Sequence, residues 1–251
     1  MATEKAIVDC LVNEFGYPKA SLFNRVVAKD NFIKQAKADS KQRSKFNDNV
    51  RQVNWLFLIK SDNTNIREGK LENIDFKEID YLHIELKSKE EIQSVAKMVF
   101  LALPKPALLH FMWTENGKNK HRLVGAEYGM NAKKLIPKSI HYSKVIDSSN
   151  VDLAQEWLNF NRQPQIDLAA LYNNLLKSIE QFNFESVHGE KLNSRADVLT
   201  INATIQNIEI TIQKLEAKAK HTKQLNQRIE LINQIRKLRD NLMSIKAGED
   251  E

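Results

Sequence analysis

The C-terminal run from Ala196 to Ile245 constrains the fold of this chain more than any other segment. It contains neither Gly nor Pro, so nothing in it forces a helix to end. Apolar residues recur in it in steps of three and four, which gives the narrow stripe of a coiled coil. The stripe is formed by Ile201, Ile205, Ile208, Ile212, Leu215, Ala219, Leu231, Ile235, Leu238, Leu242 and Ile245. We therefore predict a coiled-coil helix over residues 195–247.

The two halves of this stripe do not share one register, because Ile229 continues the first half and Leu231 belongs to the second. The polar run from Lys218 to Arg228 must absorb the slip, by a stutter or by a tight hairpin. A straight helix of this length would extend about 75 Å and would expose its stripe. We therefore predict that the stripe binds a partner, which is the chain itself, a second copy or another protein. The partner-binding residues would be Ile201, Ile205, Ile208, Ile212, Leu215, Leu231, Ile235, Leu238 and Leu242.

The overall composition is typical of a soluble globular protein, with 42% hydrophobic and 28% charged residues. The 251 residues leave room for one ordinary domain and an appendage. No apolar run approaches the length of a membrane span, and Met1–Lys5 leads into an amphipathic helix rather than a signal peptide. The single cysteine, Cys10, excludes internal disulfides and is typical of a reducing compartment. These features predict a cytoplasmic protein without membrane contact.

The residues before the coiled coil alternate between strand and helix patterns. Strands are predicted over residues 53–59, 81–86, 107–113, 121–128 and 139–146, and helices over residues 3–15, 41–50, 90–103, 153–160 and 166–182. The strand–helix–strand unit should pair its strands in parallel, whereas the flanking hairpins are antiparallel. We predict an α+β fold with a small mixed β-sheet and helices in residues 1–147. A helical connector over residues 151–192 would lead to the coiled coil.

Two zones of the chain are strongly basic. Between Arg25 and Arg51, eight Lys and Arg residues stand against three Asp residues, and between Lys214 and Lys246 nine stand against three acids. The first zone predicts a DNA-binding surface formed by Arg25, Lys29, Lys34, Lys37, Lys41, Arg43 and Lys45. If Lys34, Lys37 and Lys41 lie on one helix, their spacing makes a ridge that contacts phosphates without reading bases. The alternatives are a solvated helix face and a docking surface for an acidic protein.

A catalytic alternative rests on Glu85 and Lys87 at the end of an apolar strand. A carboxylate and a lysine two residues apart on a strand point the same way. With an upstream acid such as Asp80, they could hold Mg²⁺ and activate water as in restriction-type nucleases. The alternative interpretation is a solvent-facing charged pair.

The remaining residue types indicate no cofactor and no metal site. The six histidines are scattered, and none has metal-ligand spacing to a Cys, an Asp or a second His. His83 and His110 lie on strands that could be neighbours, where they are expected to fill or edge the sheet. No phosphate-binding Gly loop and no Gly-x-Ser-x-Gly elbow occurs.

Short motifs over most of the chain carry a resemblance to a known family. They are Pro18-Lys19, Asn24-Arg25-Val26-Val27 with Lys29 and Phe32, Val53-x-Trp55 with Lys60, Thr64-Asn65-Ile66, Leu86-Lys87, Leu103-Pro104-x-Pro106, the helix Leu168 to Ile179 and the segment Lys223 to Leu231. In these motifs the chain resembles domain-of-unknown-function family 4391, an uncharacterised bacterial family. Two positions depart from the family pattern. Ala28 stands where a Pro usually precedes the Lys, and Glu85 stands where the family strand often carries Lys, which argues against the nuclease alternative.

The resemblance implies a role in DNA processing, because members of the family are typically encoded beside superfamily-two helicases and DNA methyltransferases in anti-phage or restriction-like islands. It supplies no established activity and no catalytic residues. The leading interpretation is a non-catalytic accessory subunit that docks through its coiled coil onto a helicase or methyltransferase, with a direct contact to double-stranded DNA left open. The alternatives are a metal-dependent nuclease subunit and a free-standing DNA-binding protein.

Overall fold

The computed structural model describes residues 2–131, 134–189, 191, 198–222 and 224–247. The chain divides into two compact units, Met1–Asn183 and Phe184–Glu251. The sequence predicts a boundary at residue 147. The first unit continues beyond it because two further helices pack their apolar sides into the same core. Among the residues described, no helix is both long and apolar enough to cross a membrane.

The first unit is built on a mixed six-stranded sheet. Its strands are β1 (Leu22–Val26), β2 (Val50–Lys60), β5 (Glu78–Leu86), β6 (Ala107–Glu115), β7 (Lys118–Asn131) and β8 (Lys134–Tyr142), and a separate two-stranded hairpin is made of β3 (Gly69–Leu71) and β4 (Ile74–Phe76). The strand order is β1-β2-β5-β6-β7-β8. Five of the strands correspond to the predicted ones. The strand β1 and the β3–β4 hairpin were not predicted, since β1 has five residues and each hairpin strand has three, too few for a clear alternation of apolar and polar residues.

The pairing follows the pattern expected for a strand–helix–strand unit between hairpins. Strands β5 and β6 are parallel, and the other neighbours in the sheet are antiparallel. The helix between β5 and β6 supplies the connection that a parallel pair requires. The β6–β7 hairpin turns at Asn116 and Gly117, which both have positive φ angles of 52° and 71°. That pair of angles defines the turn that matches the twist of a hairpin, and Asn-Gly is the residue pair that favours it.

Helices cover both faces of the sheet. They are α1 (Ala2–Asn13), α2 (Lys29–Gln35), α3 (Ser40–Asn49), α4 (Ser61–Thr64), α5 (Ile92–Ala102), α6 (Val151–Leu158) and α7 (Leu168–His188). Helices α2, α3 and α5 contact one another on what we call the first face. Helices α1 and α6 lie over the opposite, second face together with the N-terminal part of α7. There Leu176 packs so closely on Gly125 that an added Cβ would meet its side chain.

The second unit contains a helical hairpin rather than one long helix. The predicted coiled-coil run forms α8 (Val198–His221) and α9 (Leu225–Ala247), which pack against each other. Ion pairs join Glu216 to Arg239 at 2.7 Å and Glu209 to Lys246 at 3.5 Å, so the two helices run antiparallel. Of the two ways to absorb the register slip, the chain uses the hairpin. The single helix predicted over residues 195–247 is corrected accordingly, and its first residues lie outside the described part of the chain.

Candidate functional site

The residues of the nuclease alternative are not brought together. Asp80 and Glu85 are an odd number of positions apart on β5, so their side chains point to opposite faces of the sheet. Glu85 accepts a hydrogen bond from the guanidinium of Arg51 at 3.0 Å, and Lys87 lies exposed just beyond the strand. A metal ion that binds Glu85 would have to displace Arg51 and would not reach Asp80.

Asp80 is instead a buried carboxylate on the first face. It is 0% exposed, and neither of its oxygens has a hydrogen-bond partner. Its nearest cation is Lys105, whose Nζ lies 3.6 Å away and also binds Glu78 at 2.5 Å. Burial raises the pKa of Asp80 to about 7, against the lowering effect of Lys105. The group is therefore close to half protonated at neutral pH.

The predicted DNA-binding residues lie on β1, α2, α3 and the turn between these two helices. Three of the seven have partners inside the molecule. The guanidinium of Arg25 stacks on Phe23 at 4.6 Å, and the Nζ of Lys45 binds Glu91 at 2.8 Å. The Nζ of Lys29 donates to two backbone carbonyls at the end of α3, where a cation is favoured by the helix dipole.

The other four basic residues are exposed, but they do not form one helical ridge. Helix α2 ends at Gln35, and Lys37 adopts a left-handed backbone conformation with φ of 53° in the turn before α3. Lys34, Lys37 and Lys41 therefore lie on a helix, a turn and a second helix, which corrects the ridge expected from their spacing. We call Lys34, Lys37, Lys41 and Arg43 the basic corner; within the described residues none of these four forms an ion pair.

The predicted partner-binding stripe lines the seam of the hairpin. Ile205, Ile212, Leu231 and Ile235 are buried. The other five predicted residues are partly buried: Ile201, Ile208, Leu215, Leu238 and Leu242. Of the three partners that the sequence left open, the chain itself therefore occupies the stripe. A second protein could reach these side chains only if the hairpin opened.

A second apolar stripe remains on the outside of α9. Ile229, Ile232 and Met243 are 48%, 51% and 71% exposed. They are separated by three and eleven residues, which places them on one side of a helix. We call these three residues the outer stripe. At 100° per residue the outer stripe lies about 60–160° around the helix from Leu231 and Ile235, so α9 presents apolar surface next to the side that the hairpin uses.

A row of three histidines crosses the second face of the sheet. His83 and His110 are register partners on the parallel strands β5 and β6, and His121 lies diagonally across on β7. The Nδ1 atoms of His83 and His110 are 3.3 Å apart, and the Nε2 of His110 is 3.0 Å from the Nδ1 of His121. A continuous chain of hydrogen bonds therefore joins three imidazoles.

The environment keeps all three rings uncharged at neutral pH. Burial lowers the pKa of His83 to about 4 and the pKa of His110 to well below its usual range, with a further contribution from the neighbouring rings. Burial also lowers the pKa of His121. Among the described residues, no group of three His, Cys, Asp or Glu side chains is arranged to hold a metal ion. The donor and acceptor roles of the three rings are therefore linked across the sheet, but the rings are not arranged as a metal centre.

The end of this row opens into a cleft of about 340 Å³ between α1, the start of α6 and the sheet. Its walls are mostly apolar, with Ile7, Leu11 and Leu158 among them, and the rings of Tyr17 and Tyr81 are part of its lining. Such a volume lies at the lower end of the range of small-molecule sites, about 300–1,000 Å³. The cleft is therefore large enough to be a ligand site.

Tyr17 lines this cleft and carries an unsatisfied hydroxyl beneath its surface. The residue is 2% exposed, and its hydroxyl has no hydrogen-bond partner. Its ring is held by Phe57, Tyr81 and Phe160, with centroid distances of 4.8 to 5.4 Å. A buried hydroxyl without a partner is costly, and because its oxygen is sealed from solvent, a molecule in the cleft does not reach it.

The histidine row and the cleft could not be derived from local sequence patterns. The adjacency of His83 and His110 was considered from the order of the strands, but the position of His121 depends on the register of the β6–β7 hairpin. Tyr17 follows the helix-ending Gly16 and reaches the second face only because α1 folds back over the sheet. The available signal was that His83 and His110 each have apolar neighbours on both sides in their strands, whereas His121 stands between Lys120 and Arg122.

Comparison with known proteins gives one match. The family model described as domain of unknown function (DUF4391) matches residues 15–242. The chain belongs to this family. The matched region includes β1 to β8 and nearly all of α8 and α9, so the sheet and the helical hairpin are both features of the family region. No curated protein and no solved structure gives a significant match to the chain.

Proposed function

We propose that this DUF4391 protein is a non-catalytic accessory subunit of a bacterial anti-phage or restriction-modification-like system. It docks through its C-terminal hairpin onto a helicase or DNA methyltransferase. The observation that carries the proposal is the outer stripe of α9, which stays exposed although the hairpin has already buried its own seam. The division of Asp80 and Glu85 between opposite faces favours this role over the nuclease alternative.

The outer stripe has the features of a helix-docking surface. Ile229, Ile232 and Met243 present aliphatic and thioether side chains along about two and a half to four turns of one helix. Scattered exposed apolar residues are ordinary on protein surfaces, but a helically spaced set on an amphipathic helix fits an added helix. A partner helix placed there would turn the two-helix hairpin into a three-helix bundle.

The charge around the stripe defines the chemistry of the partner. Helix α9 carries five Lys and Arg residues against two acids. Arg236 lies between Ile232 and Met243 on the same side of the helix, and Lys237 and Arg239 flank it. The complementary partner is an amphipathic helix with an apolar face bordered by Asp and Glu, because opposite charges steer association and exclude wrong partners.

The direct test uses the full-length chain and a helicase or methyltransferase that this proposal expects to be encoded beside it. We expect the two proteins to copurify after coexpression, and we expect Ile232→Glu to lower the affinity at least tenfold, because it places a carboxylate in an apolar interface. Titration calorimetry of the purified pair would measure the change. The exposed position of Ile232 means that the hairpin itself should keep its helicity by circular dichroism.

A matched control is Gln234→Glu, which adds the same charge two residues away at another exposed position of α9. It should leave the affinity unchanged. Equal binding by the parent and Ile232→Glu, or an equal loss in both variants, would contradict docking through the outer stripe.

A second role, contact with double-stranded DNA, is supported by the basic corner. Its four cations are exposed and lie on two consecutive helices and the turn between them. Lys and Arg side chains in this arrangement can neutralise phosphates without reading base sequence. Such contact would help an accessory subunit to hold its partner on DNA.

A further inference from the structure

The cleft on the second face has apolar walls and one polar corner. Helices α1 and α6 contribute most of the apolar walls. At the sheet, an isolated β-bridge pairs His121 with Ile146. The bridge brings two short polar stretches of the lining together, namely Asn119 and His121 with Asp147 and Ser148. A ligand that fits both parts has an apolar body and one polar end.

The charge of the lining restricts the charge of the ligand. Burial lowers the pKa values of His110 and His121 and raises the pKa of the Cys10 thiol to about 11, so these groups are uncharged at neutral pH. The carboxylate of Asp147 accepts a hydrogen bond from the Nζ of Lys120 at 2.5 Å. The lining itself contains neither Lys nor Arg, so an anionic ligand would find no partner of opposite charge. An uncharged ligand can be desolvated here at the least cost.

The rings and the volume of the cleft restrict the shape of the ligand. The sheet side of the lining is rich in aromatic side chains, which pack well against a flat ring. They are Phe15, Tyr17, Tyr81, His110 and His121. At about 30 Å³ for each water-sized group, the cleft holds on the order of ten non-hydrogen atoms. This is the space of one aromatic ring with a short substituent.

The polar atom that a ligand can reach belongs to His121. Its Nδ1 is occupied, since it lies 3.0 Å from the Nε2 of His110. Its Nε2 makes no hydrogen bond within the described residues. The side chain of His121 is partly exposed and lines the cleft, and its Nε2 keeps accessible surface, unlike the hydroxyl of Tyr17. A molecule in the cleft can therefore bind this nitrogen.

A hydroxyl is the polar group that suits the Nε2 of His121. In a neutral imidazole one nitrogen is a donor and the other an acceptor, so the Nε2 is one or the other according to the role of the Nδ1. A hydroxyl can both donate and accept, and it therefore binds the Nε2 whichever tautomer is present. On an aromatic ring this group is a phenol, which stays uncharged at pH 7 because its pKa is about 10.

We propose that the cleft binds a small uncharged phenol, with one aromatic ring, a short apolar substituent and a hydroxyl that forms a hydrogen bond with the Nε2 of His121. The ring packs against the aromatic side chains of the lining, and the substituent lies between α1 and α6. This site is independent of the docking surface on α9, since each consists of different residues in a different unit of the chain. Failure of either proposal leaves the other intact.

The test compares para-cresol with toluene, which has the same ring and methyl group but no hydroxyl. Titration calorimetry or NMR titration of the full-length chain at pH 7 should give a Kd for para-cresol of about 1 mM or tighter. His121→Phe keeps a ring but removes the nitrogen. It should weaken the binding of para-cresol about five- to tenfold more than the binding of toluene. The anion para-toluate should bind the parent more weakly than para-cresol.

Two further variants separate the hydrogen bond from a general effect on the fold. His121→Gln keeps a donor and an acceptor, so it should weaken the binding of para-cresol less than His121→Phe does. His221→Phe makes the same exchange at an exposed position near the end of α8 and should leave both affinities unchanged.

Cys10 shows whether the ligand binds in the cleft. It is the only cysteine of the chain, and it lines the cleft on α1. At ten times the Kd, para-cresol should slow the reaction of Cys10 with methyl methanethiosulfonate about tenfold, because only the unliganded protein reacts.

Four outcomes would overturn the proposal. The first is that para-cresol does not bind the parent chain. The second is that His121→Phe weakens para-cresol and toluene equally or not at all. The third is that para-cresol binds without slowing the reaction of Cys10, which places it elsewhere. The fourth is that para-toluate binds more tightly than para-cresol.

Discussion

At the scale of single residues, Asp80 shows how burial changes a side chain's contribution to stability. Its pKa is raised from 3.8 to about 7 because the sheet and the first-face helices exclude water from it. Below pH 4 the carboxyl is protonated in both the folded and the unfolded state, so its burial as an ion costs nothing. As the pH rises through about 7, the folded state must ionise a carboxyl that is costly to bury as an ion. The stability that the folded state has with the carboxyl protonated is therefore lost.

Asp80→Asn should therefore stabilise the protein at pH 8 and not at pH 4. The shift of about three pKa units corresponds to at most about 4 kcal/mol in the free energy of unfolding, at 1.36 kcal/mol for each unit. Urea unfolding of the parent and the variant at pH 4, 6 and 8 would measure the difference. The three buried histidines are present in both proteins, so their opposite pH dependence cancels in the comparison.

Glu78→Gln is the control for this prediction. Glu78 lies two residues away on the same strand and binds the same Lys105, but its side chain is 32% exposed. Its own carboxylate is not deeply buried, although its charge helps to raise the pKa of Asp80, so its neutralisation should give a smaller gain at pH 8 than Asp80→Asn does. If Glu78→Gln stabilises the protein as much as Asp80→Asn does, burial of the Asp80 charge is not the cause of the cost. The same holds if Asp80→Asn stabilises the protein equally at every pH.

At the scale of secondary-structure elements, the pair α2–α3 shows that the spacing of charges alone does not fix a surface. Asp39 begins α3 with a capping box, in which its carboxylate accepts from the backbone of Gln42 at 2.8 Å. This start signal and the left-handed Lys37 divide the basic segment into two helices. The basic corner is therefore a bent surface, which can follow a duplex only by contacting phosphates at separate points.

Replacement of Lys34, Lys37 and Lys41 by Gln should weaken binding to double-stranded DNA and make it less salt-dependent. The slope of log affinity against log salt concentration should flatten by up to about three, because each lost phosphate contact retains about one counterion. A salt titration with a fluorescent duplex would measure the slope, and the fold should persist because all three side chains are exposed.

The control removes the same amount of charge elsewhere. Lys214, Lys218 and Lys237 are exposed on the hairpin, and their replacement by Gln should change the slope less. If both triple variants flatten it equally, net charge rather than the basic corner determines binding. If the parent does not bind duplex DNA at low salt, the basic corner is either a solvent-exposed surface or a docking surface for an acidic protein.

At the scale of the whole molecule, the chain combines two units whose cores are formed in different ways. The first unit depends on contacts between residues far apart in sequence, such as the pairing of β1 with β2 and of β5 with β6. The second unit holds together through the local seam between α8 and α9. Damage to the seam should therefore remain within the second unit.

Ile235→Asp should melt the hairpin and leave the sheet intact. Ile235 is 8% exposed, and a carboxylate placed there without a partner is expected to cost about 3 kcal/mol or more. Hydrogen exchange of the intact protein should show lost protection for amides of residues 198–222 and 224–247 and unchanged protection in β5 and β6. Ile232→Asp, at a neighbouring exposed position, should leave both regions protected. Loss of protection in the central strands would show that the two cores unfold together.

Local sequence determined most of the elements. Alternation of apolar residues predicted β5, the turn at Asn116 and Gly117 followed from their tolerance of positive φ, and the strand–helix–strand order predicted the parallel pair. These signals are local because a helix or a hairpin turn is specified by residues within a few positions of each other. The absence of Gly and Pro between Ala196 and Ile245 likewise predicted helix, and the register slip predicted where that helix had to stutter or turn back.

Tertiary structure decided which apolar stripe is free and which polar residues meet. The closing of α8 on α9 occupies the predicted stripe and leaves Ile229, Ile232 and Met243 outside, because the slip at the turn selects which side of α9 faces α8. The register of β6 and β7 places His121 beside His110, and the fold of α1 over the sheet buries the Tyr17 hydroxyl. These contacts join positions as far apart in sequence as Tyr17 and Phe160. Their pairing depends on the register of the strands and the packing of the helices, which no local pattern contains.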